Sequence, residues 1–206
     1  MPREHAKNHE RERIAHLAAR IMAEDGIDDH GLAKRKAARQ AGINGSRNLP
    51  TNEEIDDALR AYLQIYQGEA QQACVNELRL QALTVMQVLA SFAPHLTGPV
   101  LSGTAGKFSG ISLQLFADSV KEVEWFLLNQ GISYRCAETR LFIGDEPREL
   151  PVFVIDADGV EVRLTVLGGR DQRALVKATA GGRPIERARE ESVRALVSAA
   201  PATDAA

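Results

Sequence analysis

Val100-Leu101-Ser102-Gly103-Thr104-Ala105-Gly106-Lys107-Phe108-Ser109-Gly110-Ile111-Ser112-Leu113-Gln114-Leu115-Phe116 is the stretch on which the reading of this chain turns. A glycine-rich turn runs into a strand. Ile111, Leu113 and Leu115 alternate with Ser112, Gln114 and Phe116, the two-residue period of a pleated strand. The turn combines small residues with backbone N–H groups, the materials of an anion-binding nest.

Upstream of this stretch the pattern is helical. Ile14, Leu17, Ala18, Ile21 and Met22 form one apolar stripe of a helix over about 3–24, with Gly26 as its stop. His5 and His9 are four apart on it, yet without an HExxH-type motif they read as a solvated face. Asp28 and Asp29 precede a short helix over about 32–41 that carries Lys34, Arg35, Lys36 and Arg39. Those four cations suit either solvation or contact with nucleic-acid phosphates. Residues 42–50 are a loop dense in turn formers. Thr51 and Glu54 have the spacing of a capping box for the next helix, whose face holds Ile55, Leu59, Tyr62 and Tyr66. After Gly68, a helix over about 69–92 carries Val75, Leu78, Ala82, Val85, Leu89 and Phe92 at spacings of three and four. Leu80, Leu83 and Met86 widen that seam, which predicts burial on more than one side. Pro94 and Pro99 close the helical part.

Downstream the pattern is mixed. Asp118 is the expected cap of a helix with Val120, Val123 and Leu127 inward, ending at Asn129-Gln130-Gly131. Short strands are expected at 132–136 and 141–143, with a charged loop at 145–150. Two clear strands, 151–155 and 160–167, flank the hairpin signal Asp156-Ala157-Asp158-Gly159. Helices are expected at 171–180 and 184–197, and a disordered tail at 198–206. The expected domains are a helical one over 1–97 and an α/β one over 98–197.

Composition narrows the function classes. The chain has 206 residues, 44% hydrophobic and 26% charged, enough to bury a core. Its net charge of −3 supplies no general attraction to nucleic acid or membrane. The charge is uneven: residues 1–50 hold ten Lys/Arg against seven Asp/Glu, and residues 51–92 hold two against six. Cys74 and Cys136 stand alone, without a CxxC or Cys/His cluster, which argues against zinc and fits a reducing, cytoplasmic setting. No apolar run approaches membrane-spanning length.

Motif by motif, most chemistry falls away. Gly106-Lys107 is followed by Phe108, and Leu101 stands where a P-loop needs its first glycine. GxGxxG is absent. No histidine follows His95, which disfavours a His-dependent triad near the turn.

Leu101-Ser102-Gly103-Thr104, a short spacer, and Ser109-Gly110-Ile111-Ser112-Leu113 resemble the signature of the nucleotidyltransferase fold, the DNA polymerase beta-like superfamily. In that family a strand ends in Gly-Ser, a second strand reads Ser-Asp-Ile-Asp-Leu, and a later strand carries a third carboxylate. The resemblance implies a turn that holds a triphosphate and carboxylates that hold two metal ions for in-line attack. It covers about residues 98–168.

The departures from the pattern decide the functional expectation. Gly110 and Ser112 stand at the two aspartate positions, and Arg163 stands where the third carboxylate belongs. An arginine there binds phosphate without a cation. The resemblance therefore implies an α+β fold, with an N-terminal helical bundle followed by a small nucleotidyltransferase-like mixed β-sheet with flanking helices. It implies a catalytically degenerate module that binds nucleotide or another phosphate through Gly103, Thr104, Lys107, Ser109 and Arg163. No cofactor is expected. Helices within 51–92 are expected to take a protein partner or a second copy. One alternative is an active enzyme using Mg2+ on an atypical carboxylate set, Glu161 with Asp118 or Asp158. Another is nucleic-acid binding through Lys34, Arg35, Lys36 and Arg39.

Overall fold

Seven-residue alternation in 111–117 becomes a strand at the centre of the second half, and the rest of that half arranges around it. A computed structural model describes residues 2–25, 27, 29–42, 49–66, 68–106 and 108–199. It is an α+β chain that divides into two compact units, Met1–Cys74 with Gly103–Ser109, and Val75–Ser102 with Gly110–Ala206. The division falls within the fourth helix. Lys107 and residues 200–206 of the expected tail lie outside the described residues. No described helix is long and apolar enough to cross a membrane.

The first unit is built from α1 (Pro2–Asp25), α2 (His30–Gln40), α3 (Asn52–Tyr66) and the start of α4 (Gly68–Val88). Its core joins Ile14, Ala18, Ile21 and Met22 of α1 to Ala33 and Ala37 of α2 and Ile55, Leu59 and Leu63 of α3. Alanines at the contacts let the helices approach closely, and the remaining order is polar. The capping box forms: Thr51 N–H donates to Glu54 Oε2 at 2.6 Å, and Glu54 N–H donates to Thr51 Oγ1 at 3.2 Å. The same Glu54 oxygen accepts from Arg11 Nε at 2.8 Å, tying α3 to α1. Burial opposes ionisation of Glu54, but these donors outweigh it and hold its carboxyl below the usual range. Asp29 caps α2 by accepting from Leu32 N–H at 2.9 Å.

The second unit contains the seam of α4. Val75, Leu78, Ala82, Val85, Leu89 and Phe92 are all buried, as are Leu83 and Met86 on its flank, whereas Leu80 is exposed. The helix stops at Val88 and a 3-10 turn, Ala90–Phe92, completes the expected span. Six strands follow: β1 (His95–Thr97), β2 (Ile111–Ala117), β3 (Tyr134–Ile143), β4 (Glu146–Ala157), β5 (Val160–Gly168) and β6 (Val176–Lys177). They form one curled sheet in the order β1-β2-β5-β4-β3-β6. Only β2 and β5 run parallel among the described pairings. Two short helices, α5 (Gly98–Ser102) and α6 (Val120–Asn129), flank β2 in sequence, and α7 (Glu190–Ser198) closes the described chain.

Curling follows from chain length. A flat six-stranded sheet spans about 24 Å from edge to edge. Ile185 N–H donates to the Val176 carbonyl on β6 at 2.7 Å, and Ala188 exchanges both backbone bonds with Leu96 on β1. From Ile185 to Ala188 the chain reaches only about 10 Å. Segment 174–189 is thus a strap across one face, and the two sheet edges are drawn together beneath it. That inner face carries Phe116, Leu167, Leu150, Ile143 and Val176 in one apolar cluster, with Ile185 of the strap packed on it. The opposite face carries the fully buried Leu96, Ile111, Leu113, Leu115, Val162 and Leu164.

Several local expectations change. Residues 134–143 form one strand, and the expected charged loop pairs with it as the first part of β4. Both faces of this ribbon meet solvent, so the ladder holds without an alternating apolar pattern. Residues 171–180 are not a helix: Gly169–Arg173 is a 3-10 turn, and Val176 pairs with Ile143 at the sheet edge. Pairing and burial of Val176 override helix propensity there. Pro184 and Ile185 pair along β6, so the last helix starts only at Glu190. Ser119, not Asp118, caps α6, accepting from Lys121 N–H at 3.3 Å.

Candidate functional site

Ser112, Gln114 and Phe116 face inward along β2 because Ile111, Leu113 and Leu115 must face the opposite core. Register then selects their neighbours. Thr97 of β1, Ser112 of β2 and Arg163 of β5 lie in one row across three strands. His95, Gln114 and Thr165 form the next row. The first row opens to solvent at Arg163, which is 44% exposed, as is the neighbouring Glu161 on β5 (48%). The second leads under the strap.

Backbone geometry at the open end is tight. Thr97 Oγ1 donates to the Ser112 carbonyl at 3.2 Å. β1 ends at Thr97, and Gly98, with a φ of +72°, turns the chain into α5. A Cβ on Gly98 would lie 3.8 Å from the Ser112 hydroxyl, so the turn sits directly beside it. Gly110 is closer still: a Cβ there would lie 2.8 Å from the Glu161 carbonyl oxygen. Backbone, not a movable side chain, is the obstacle. Position 110 therefore accepts no side chain without a shift of β5.

Arginines dominate the charge here. Glu161 Oε2 accepts from Arg135 Nη2 at 2.9 Å, and its other oxygen lies 3.7 Å from Arg163 Nη1. Both oxygens of the carboxylate are thus engaged by guanidinium groups. Asp156 is directly opposite Glu161 in the β4–β5 ladder, but its Oδ1 accepts from Gly159 N–H at 3.1 Å. Asp158 holds the turn itself at φ +52°. Asp118 lies against Gly169, where an added Cβ would come within 2.9 Å of its Oδ1. Among the described residues no group of three His, Cys, Asp or Glu side chains converges as a metal site would.

The remaining site candidates fall in the first unit. Gly103 turns with φ +80°. Gly106 N–H donates to Ser109 Oγ at 3.0 Å, and Ser109 N–H donates to the Gly106 carbonyl at 3.0 Å. The Ala105 carbonyl accepts from Gln71 Nε2. Two amides of the expected nest are therefore committed within the turn. Gly103, Thr104 and Ser109 thus belong to one unit, and Gly110, Ser112, Glu161 and Arg163 to the other. In α2, Lys34 donates to Asn52 Oδ1 at 2.7 Å and Lys36 pairs with Asp25 at 3.4 Å. Burial lowers the pKa of Lys34, with the charges of Glu54 and Arg11 acting in opposite directions.

One cluster leaves almost no signal in the sequence. His95 is buried, donates through Nδ1 to the Ala93 carbonyl at 2.8 Å, and accepts at Nε2 from Arg189 Nε at 3.3 Å. Its ring meets Phe116 edge-on with centroids 5.2 Å apart. The Arg187 guanidinium lies 5.8 Å from the centre of the same Phe116 ring. Arg187-Ala188-Arg189 is the only textual hint, and it sits more than 70 residues after Phe116. The chain matches no protein-family model, no curated protein and no solved structure.

Proposed function

We propose that the second unit is a nucleotidyltransferase-like module that binds the phosphates of a nucleotide, or another phosphate, without metal-dependent transfer. One observation carries this reading: Arg163 stands directly across from Ser112, beside a Gly110 whose position is closed to any side chain. Two-metal transfer needs carboxylates at such positions to hold the ions and stabilise the attacking and leaving oxygens. Guanidinium groups at the same place repel a cation and offer paired donors to a phosphate. The Ser112 hydroxyl adds a donor in the same row. Glu161 is then a gate on affinity, because a phosphate must displace it from Arg163 and Arg135.

Titration calorimetry with a nucleoside triphosphate tests the reading. The expected result is saturable binding that weakens at least tenfold in Arg163→Gln and falls with added salt. Binding indifferent to Arg163→Gln would remove it.

A further inference from the structure

The strap and the inner face together bury polar groups that the fold leaves unmatched. Gln114 is 3% exposed, and its Oε1 has no hydrogen-bond partner among the described residues. Arg187 donates Nη2 to the Ala174 carbonyl at 2.8 Å, but its Nη1 is buried without a partner among the described residues. Burial alone lowers the Arg187 pKa, and no carboxylate offsets it. Gln114 is the ladder partner of His95, His95 packs on Phe116, and Arg187 lies over Phe116. All four therefore share one side-chain layer, with Arg189 reaching His95 from the strap.

Each unmatched group costs free energy unless an ordered water or a ligand meets it. Arg187 calls for an acceptor carrying negative charge. Gln114 Oε1 calls for a donor. We propose that this layer is a second anion site, separate from the open end at Arg163, which takes a small oxyanion carrying a neighbouring hydroxyl. The oxyanion sits between Arg187 and Arg189, and its hydroxyl donates to Gln114. Phosphate monoesters and hydroxycarboxylates share this chemistry. Entry is by displacement of the strap: residues 178–187 are exposed apart from the half-buried Gly182, Ile185 and Arg187, so the backbone bonds at Ile185 and Ala188 and the Arg187 bond to Ala174 are what hold it down.

The site does not depend on the proposed function, and its test is run in the full chain carrying Arg163→Gln, which silences the open end. Inorganic phosphate, glycerol 3-phosphate and lactate are titrated by calorimetry. The expected result is saturable binding of glycerol 3-phosphate or lactate, and whichever binds tighter names the source. Arg187→Gln weakens it at least tenfold, and Gln114→Leu weakens the hydroxylated ligands more than inorganic phosphate. Nuclear magnetic resonance of the His95 ring supplies an independent readout. A bound anion offsets the charges of Arg187 and Arg189, so the His95 titration moves to higher pH on saturation. If Arg187→Gln does not fold, Arg189→Gln and the His95 readout decide the matter in its place. No saturable binding by any of the three probes, or binding with an unmoved His95 titration, overturns the proposal.

Discussion

Two ends of one strand face behave differently, though the same alternation builds both. At the open end, the Ser112 row and the Glu161 position beside it hold exposed or half-exposed charges that are mutually paired, Glu161 with Arg135 and Arg163. At the strapped end, in the next two rows, Gln114, His95 and Phe116 are buried, and Arg187 has no acid partner among the described residues. Exposed ion pairs are worth little to stability and exchange readily for a ligand. Buried unpaired groups are expensive and report on whatever meets them. The open end is therefore a place where charge is available, and the strapped end a place where charge is missing.

The largest effect tests how firmly the open end excludes carboxylates. Gly110→Asp destabilises the chain by about 3 kcal/mol in urea unfolding, because the new Cβ meets the Glu161 carbonyl. Gly110→Ala loses stability for the same reason, and a neutral outcome for both would mean that β5 yields easily. At the strapped end the expected sign reverses. Gln114→Leu raises stability by about 1 kcal/mol, since a near-isosteric apolar side chain replaces an unpartnered buried oxygen. A loss of stability there would mean that Oε1 is satisfied in solution.

Acid separates the two ends further. His95 is held below the ordinary histidine value first by burial and then by Arg187 and Arg189, against the opposing bond to the Ala93 carbonyl. The unfolded chain therefore takes up its proton first as pH falls below about 6.5. Stability present above that pH is lost progressively down to the folded-state pKa of His95. Thermal unfolding between pH 8 and pH 5 checks this, and His95→Gln flattens that part of the profile. The smallest effect on stability belongs to Glu161→Gln, within about 0.5 kcal/mol by the same unfolding assay. Its phosphate affinity nevertheless rises severalfold, because Arg135 and Arg163 are released.

What could be read from the chain follows the range of the forces involved. The α4 seam, the Thr51–Glu54 capping box, strands β2 and β5, and the Asp158-Gly159 turn all rest on spacings of a few residues. Each leaves a local pattern. The β3–β4 ribbon shows only its ends, 134–136, 141–143 and 151–155, since Glu138, Arg140 and Arg148 face water along its middle. β1 is three residues between two prolines, too short for any period to register. Val176 joins the sheet only because Ile143 waits beside it, over thirty residues away. The row of Ser112 and Arg163 depends on a parallel pairing across about fifty residues, and the His95–Gln114–Arg187 layer draws on three separate segments. Residue types alone do not encode such encounters.

On the proposed function, guanidinium charge at the open end takes the place of metal ions. Triphosphate binding measured with excess magnesium and again with a chelator tests it most directly. The expected result is the same affinity or tighter binding without magnesium, and no nucleotide transfer in either condition. Binding that requires magnesium, or magnesium-dependent transfer that survives Arg163→Gln, would contradict it.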